Sequence, residues 1–340
     1  MCSVVVVELT EFLEDQLNTS CHMSCLDQVL LTPAIGVPAS NVDRGPNSLT
    51  AHIGHTPLLT LKSEAAVNVR LYGKAEWFNP SGSVKDRSVF SILRTAEVAG
   101  LLSGKTILDA TSGNAGIAYA MMGSSLEHKV TLTLPKYANE ERKRILRAYG
   151  VKLIYTDPLD GSDGAVRKAR ELYSEKPDEY FYADQYSNEA SWRGHYETTG
   201  VEIWEQTHGA VTHLVAGVGT GGTIMGTGRR LKQLNPQIKI IAVQPDSPFH
   251  GLEGLKHLET SMKPKIYDPS FPDQTVKVAT DRAQQIVRKL AREGVLIGPS
   301  SGAALAAAET IANEANTGTI VAILPDGGGR YLTERFWEEQ

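Results

Sequence analysis

A lysine stands among small residues in the segment 79–87, which reads Asn-Pro-Ser-Gly-Ser-Val-Lys-Asp-Arg. The Asn-Pro pair and the glycine predict a turn, and a helix is predicted to follow it and to run to about Ala99. A lysine at such a junction can act as a nucleophile when its amine is neutral or captured as an imine. Lys85 is therefore a candidate catalytic residue, with an ordinary surface lysine as the alternative on this segment alone.

A second loop combines hydroxyl, amide and glycine residues between a predicted strand and a predicted helix: Thr111-Ser112-Gly113-Asn114-Ala115-Gly116. Hydroxyls and backbone N–H groups at a helix N-terminus form a natural seat for a carboxylate. Simple N-capping needs only one hydroxyl, so this loop has more polar groups than capping requires.

Two further loops are rich in glycine or serine. Four glycines between 217 and 222, followed by Thr223, let the backbone approach a phosphate closely. The same segment matches the dinucleotide pattern G-x-G-x-x-G, but the next strand ends without the acidic residue which that interpretation needs, so a single phosphate is favoured. The last loop, 298–303, contains Ser300, which serves either as a helix cap or as a ligand hydroxyl.

Short apolar strands alternate with helices from Thr50 onward. Strands are predicted at 106–110, 129–134, 151–155, 213–216, 238–243 and 319–324. Helices are predicted at about 85–99, 140–149 and 283–292. Another helix is predicted to begin at 117, and a further one to end at 235. This alternation predicts an α/β protein with two open, mostly parallel sheets wrapped by helices. Ligands in such folds bind on loops at the carboxyl ends of strands, where all four loops are predicted to lie.

The composition excludes several classes of protein. The 340 residues carry a net charge of -5 with acids and bases mixed, which is unlike the basic surface of a nucleic-acid binder. No apolar run approaches the roughly 20 residues that a membrane-spanning helix needs. The three cysteines lie in the first 25 residues and provide no second pair of metal ligands, so we expect no metal site. Their scarcity favours a reducing, cytoplasmic compartment.

The first part of the chain differs from the rest. Residues 1–48 are predicted to form an extension that lacks the marks of a signal or transit peptide, with a short helix near 9–17. Residues 81–195 are predicted to form a smaller α/β domain carrying Lys85 and the carboxylate loop. Segments 49–80 and 196–340 are predicted to form a larger domain carrying the phosphate loop.

Taken together, the four loops resemble those of the cysteine synthase family of fold-type II pyridoxal-phosphate enzymes, over residues 50–335. The resemblance implies that Lys85 holds pyridoxal 5'-phosphate as an imine and later moves the Cα proton. It implies that Asn114 contacts the cofactor's ring oxygen and that Ser300 faces its pyridine nitrogen. The phosphate would lie on Gly219, Thr220, Gly221, Gly222 and Thr223. The substrate carboxylate would lie on Thr111, Ser112, Gly113 and Gln185.

The implied reaction replaces the β-substituent of an activated L-serine by sulfide through an α-aminoacrylate intermediate. Departures from the family pattern are Ala115 in place of threonine, the missing prolines at Glu189 and Trp192, and the glycines that follow Asp326. The acceptor is either O-acetylserine or O-phosphoserine. Lys256 stands where the O-phosphoserine branch has a phosphate-binding arginine; the alternative is an exposed loop lysine.

Three alternatives stay open. The same scaffold supports a cystathionine β-synthase, a serine or threonine dehydratase, and a non-catalytic binding or regulatory protein. The resemblance also implies a homodimer, with serine acetyltransferase or a thiocarboxylated sulfur-carrier protein as possible partners.

Overall fold

The computed structural model describes residues 48–62, 68–111, 113–315 and 317–338. The strands are β1 (Leu58–Leu61), β2 (Val69–Ala75), β3 (Thr106–Ala110), β4 (Val130–Pro135), β5 (Lys152–Thr156), β6 (Tyr180–Tyr182), β7 (His213–Gly217), β8 (Lys239–Pro245), β9 (Gln274–Val278) and β10 (Gly318–Leu324). The helices are α1 (Lys85–Val98), α2 (Asn114–Ser125), α3 (Glu140–Ala148), α4 (Gly161–Glu175), α5 (Ala190–Glu197), α6 (Thr199–Gln206), α7 (Gly222–Leu234), α8 (Thr280–Arg292) and α9 (Pro299–Glu314).

The smaller sheet has four strands in the order β5-β4-β3-β6, and every neighbouring pair is parallel. Its central strands, β3 and β4, are buried along almost their whole length, and Ile107, Leu108 and Leu132 are fully buried. Strands buried on both faces are expected where helices cover both faces of a parallel sheet. Helices α2 and α4 pack on its strands.

The larger sheet has six strands in the order β1-β2-β10-β7-β8-β9. Among the described strands of this sheet, only the pair β1–β2 is antiparallel. Strand β10 lies in the middle, where Ile320 pairs with Leu71 on one side and His213 on the other. The predicted fold class, two open and mostly parallel sheets with helices around them, is confirmed.

The predicted elements agree with the observed ones within a few residues. Helix α3 illustrates why: the Asn139 side chain accepts hydrogen bonds from the first turn, and Gly150, with φ of 76°, follows its C-terminal cap. Tyr149, the C-terminal cap residue, is 41% exposed. The helix buries Arg142, Lys143 and Leu146.

Some predictions concern parts of the chain that the structure does not describe. The predicted helix near 9–17 and the three cysteines lie outside the described residues. The smaller sheet falls within residues 81–195, and the domain boundaries themselves stay a prediction. Within the described ranges, no helix combines the length and apolar character needed to cross a membrane.

Candidate active site

A cleft of about 180 Å³ is lined by residues that follow the carboxyl ends of strands in both sheets. Loops after β3, β6, β7, β8 and β10 all contribute to its walls. Predicted site residues that line it are Lys85, Thr111, Gly113, Asn114, Gln185, Gly219, Thr220, Gly221, Thr223, Lys256 and Ser300. Gly222 is buried as the first residue of α7, and Ser112 lies outside the described residues.

Lys85 is the first residue of α1. Burial lowers the pKa of its amine, and the carboxylate of Asp326 opposes that shift. A lowered pKa favours the neutral amine, which is the form that can attack an electrophile or accept a proton.

Asp86, the residue after Lys85, stabilises the turn that precedes Lys85. The Asp86 carboxylate accepts hydrogen bonds from the backbone N–H of Ser81, at 2.7 Å, and from the Ser81 hydroxyl. Asp86 is fully buried, and this burial raises the pKa of its carboxyl to about 6. The loop therefore presents Lys85 in a fixed direction.

A buried ionic network anchors the other side of Lys85. Arg87 donates to Glu76 at 2.7 and 2.8 Å and to Glu202 at 2.6 and 2.8 Å. Glu202 also accepts from Lys74 at 2.6 Å. Burial alone would raise the pKa of Glu202, but these cations lower it to about 2. The network ties α1 to β2 and α6.

The side-chain amide of Asn114 is fixed at both ends. Its Nδ2 donates to Asp326 at 2.7 Å, and its Oδ1 accepts from Arg330. The hydroxyl of Tyr331 donates to the same Asp326 oxygen at 2.7 Å. Asp326, Arg330 and Tyr331 are not among the site residues predicted from the sequence.

The glycines of the loop before α7 have no room for side chains at their own positions. A Cβ atom at Gly219 would collide with the carbonyl oxygen of Gly254. Gly221 has φ of 89°, and a Cβ there would lie 2.7 Å from the Cβ of Tyr267. Such a bare loop at a helix N-terminus fits a phosphate group. Thr223 adds a hydroxyl, whose oxygen lies 3.3 Å from Nε2 of the buried His195.

The opposite wall carries the predicted substrate groups. Gln185 donates to the carbonyl of Ala110 at 3.3 Å, next to the loop that begins at Thr111. Lys256 is buried rather than exposed, so the exposed-lysine alternative is wrong. Its ammonium pairs with Asp163 at 3.2 Å and lies 5.1 Å from the centroid of the Tyr186 ring.

Comparison with known proteins agrees with this geometry. The family described as pyridoxal-phosphate dependent enzyme matches residues 49–326. A cysteine synthase from Aquifex aeolicus is 49% identical over 85% of this chain and 91% of its own length. A cystathionine beta-synthase from Apis mellifera is 39% identical over 86% of this chain and 62% of its own length.

Solved structures give the same result. The crystal structure of cysteine synthase from Entamoeba histolytica superposes with a TM-score of 0.82 at 34% identity, covering 91% of this chain and 95% of that one. The resemblance inferred from the four loops is thus confirmed, and the chain belongs to the cysteine synthase family of pyridoxal-phosphate-dependent enzymes.

Proposed function

We propose that the protein forms L-cysteine by replacing the β-substituent of an activated L-serine with sulfide. One observation carries the proposal: Lys85, the loop that begins at Thr111 and the glycine loop that ends at Thr223 line one cleft. An amine nucleophile, a carboxylate seat and a phosphate seat are the groups that this reaction requires.

The residues present fit the cofactor. The bare loop 219–223 would hold its phosphate, Asn114 its ring oxygen, Ser300 its pyridine nitrogen and Lys85 its reactive carbon. Bound pyridoxal phosphate supplies an electron sink for negative charge at the Cα of an amino acid. Ser300 is an uncharged partner, so the protein would not stabilise a protonated pyridine nitrogen as a carboxylate would.

Lys85 would move the proton. Its Nζ, whose pKa is lowered by burial, would accept the Cα proton while the Cβ–O bond breaks and acetate leaves with the bonding electrons. Sulfide then forms the new Cβ–S bond, and Nζ returns the proton to Cα. The loop 111–114 and Gln185 would hold the substrate carboxylate throughout.

We propose O-acetyl-L-serine as the acceptor. The ammonium of Lys256 is already paired with Asp163 at 3.2 Å, so the Asp163 carboxylate would compete with an acceptor phosphate for it. If O-phosphoserine is used instead, Lys256→Gln should lower the response to O-phosphoserine at least tenfold more than the response to O-acetylserine. Equal effects on both would remove Lys256 from acceptor selection.

The visible spectrum of the purified protein tests the proposal. The bound cofactor should give a yellow absorbance that O-acetylserine shifts and sulfide restores. Lys85→Ala should abolish this cycle, whereas Lys152→Ala, at an exposed position, should not. A protein that takes up no cofactor, or a yellow protein that responds to neither activated serine, contradicts the proposal.

Product analysis separates the alternatives. A dehydratase would release pyruvate and ammonia, a cystathionine β-synthase would require homocysteine, and a non-catalytic protein would give no product. We further propose a cytoplasmic homodimer, with serine acetyltransferase or a thiocarboxylated carrier protein as partners. Sedimentation and pull-down with purified partners test these points.

A further inference from the structure

Arg142 has an unusual environment on the wall of the cleft. It lies in α3 and is 2% exposed. Its Nη1 pairs with Glu253, in the loop after β8. Its Nε and Nη2 have no hydrogen-bond partner among the residues that the structure describes. Buried donors without partners are unfavourable, and arginine has five N–H donors to satisfy.

The surroundings of Arg142 indicate what its guanidinium group could bind. A methyl group placed on Gly113 would lie 3.7 Å from Nη1 of Arg142 and 3.6 Å from Oε1 of Glu253. The ion pair therefore lies beside the loop that would hold the substrate carboxylate. The Arg142 guanidinium carbon also lies 5.3 Å from the centroid of the Tyr331 ring, a cation–π contact.

Glu253 can leave this position more easily than Arg142. Its side chain is 40% exposed, whereas that of Arg142 is 3% exposed. The group it presents to the arginine is a carboxylate, the same group that an amino acid carries on Cα. A planar guanidinium is well suited to bind a carboxylate.

We propose that Arg142 is a binding residue for the α-carboxylate of the amino-acid substrate, and that Glu253 occupies it until the substrate arrives. The inference rests on the proposed function, which supplies the amino acid. The substrate carboxylate displaces that of Glu253, whose side chain turns to solvent. The positive charge of Arg142 then balances a carboxylate that the loop 111–114 would hold only by neutral groups.

A structural latch between α3 and the loop after β8 is the competing explanation. The two explanations differ in the sign of their effects. Arg142→Gln and Glu253→Gln both break the same ion pair, so a latch predicts that both change substrate binding in the same direction. A masked carboxylate site predicts opposite directions, because one change removes the binding group and the other removes its competitor.

The experiment titrates the cofactor-loaded protein with L-alanine, which has no β-leaving group, and with L-alaninamide, which has no carboxylate. Binding is followed by the change in visible absorbance. We expect Arg142→Gln to raise the Kd for L-alanine about tenfold or more, as for the loss of a charge-assisted hydrogen bond. We expect Glu253→Gln to lower it several-fold. Arg142→Lys should retain part of the binding, and L-alaninamide should respond equally in all variants.

Each outcome distinguishes a masked carboxylate site from a structural latch. Changes in the same direction, or equal changes for L-alaninamide, overturn the proposal in favour of a latch. If Arg142→Gln does not fold, Glu253→Gln still decides, because unchanged or weaker L-alanine binding contradicts masking. A wild-type protein that takes up no cofactor contradicts the proposed function itself, which is a separate result.

Discussion

The carboxylate of Asp326 accepts a hydrogen bond from Nδ2 of Asn114 at 2.7 Å, although 212 residues separate them in the chain. Arg330 donates to the other end of the same amide, so the orientation of Asn114 is fixed. Because Asn114 would contact the ring oxygen of the cofactor, Asp326 would act as a positioning residue for that contact. Its charge also opposes the lowering of the pKa of Lys85 by burial.

Removal of this acceptor should disturb the cofactor. Asp326→Ala leaves the Asn114 amide and the Tyr331 hydroxyl without their acceptor, and a lost buried partner costs about 1–3 kcal/mol. We expect kcat/KM to fall about ten- to hundredfold and the absorbance of the bound cofactor to shift. Asp326→Asn keeps one acceptor oxygen and should restore part of the activity. An unshifted spectrum in Asp326→Ala would contradict the positioning role.

The bare glycine loop gives a second prediction. Gly219→Ala places a methyl group against the carbonyl of Gly254, so the loop must move away from its present path. We expect weaker cofactor binding, measured as a higher Kd for pyridoxal phosphate added to cofactor-free protein. Gly329→Ala, where no atom lies within 4 Å of the added methyl, is the matched control. Equal Kd values for the two variants would remove the loop from phosphate binding.

The ionic network behind Lys85 should contribute to stability. Lys74→Met leaves Glu202 buried with one cation fewer and removes the donor to the carbonyl of Thr56. Breaking a buried ion pair typically costs about 3–5 kcal/mol. Urea unfolding should therefore show a clearly lower midpoint. Lys168→Met, which breaks an exposed pair with Glu171, should leave the midpoint almost unchanged.

A buried acid beneath the carboxylate loop predicts a dependence of stability on pH. Asp109 is fully buried at the end of β3, and burial raises the pKa of its carboxyl to about 7. One oxygen accepts from the N–H of Ala110, and the other has no partner within the described part of the chain. The folded protein therefore keeps this proton up to about pH 7, whereas an unfolded chain releases it near pH 4.

Because the folded state binds the extra proton in this range, Asp109 makes the free energy of unfolding decrease as pH rises from about 4 to 7. We expect Asp109→Asn to remove this contribution. The change in the free energy of unfolding from pH 5 to pH 7.5 should then be more favourable to the folded state in the variant than in wild type. Urea unfolding at both values measures it. Asp178→Asn, at an exposed position, is the control. The same pH dependence in Asp109→Asn and wild type would be inconsistent with a buried proton.

The loops could be predicted from the sequence because their signals are local. A β-branched segment followed by glycines and hydroxyl residues indicates the carboxyl end of a parallel strand wherever this pattern occurs. Strand β9 escaped prediction because it lies at a sheet edge and reads Gln-Thr-Val-Lys-Val, with no apolar run. Helix α4 begins at a glycine without a side-chain cap, so it has no strong start signal.

The contacts between the loops could not be predicted in the same way. Arg142 meets Glu253, and Lys256 meets Asp163, only because two sheets bring distant helices and loops to one cleft. In the sequence Arg142, Glu253 and Asp163 have the appearance of ordinary surface charges, and only the family resemblance singles out Lys256. Their burial and pairing depend on tertiary structure, which no spacing along the chain encodes.

The central position of β10 has a consequence for synthesis on the ribosome. This strand comes last in the chain, yet it alone joins β2 to β7 in the larger sheet. The smaller sheet is complete once β6 has emerged, so it can form early. The larger sheet stays in two separate halves, with two apolar edges open, until residues 318–324 leave the exit tunnel. We expect that a nascent chain stalled before this strand depends on chaperones to avoid aggregation.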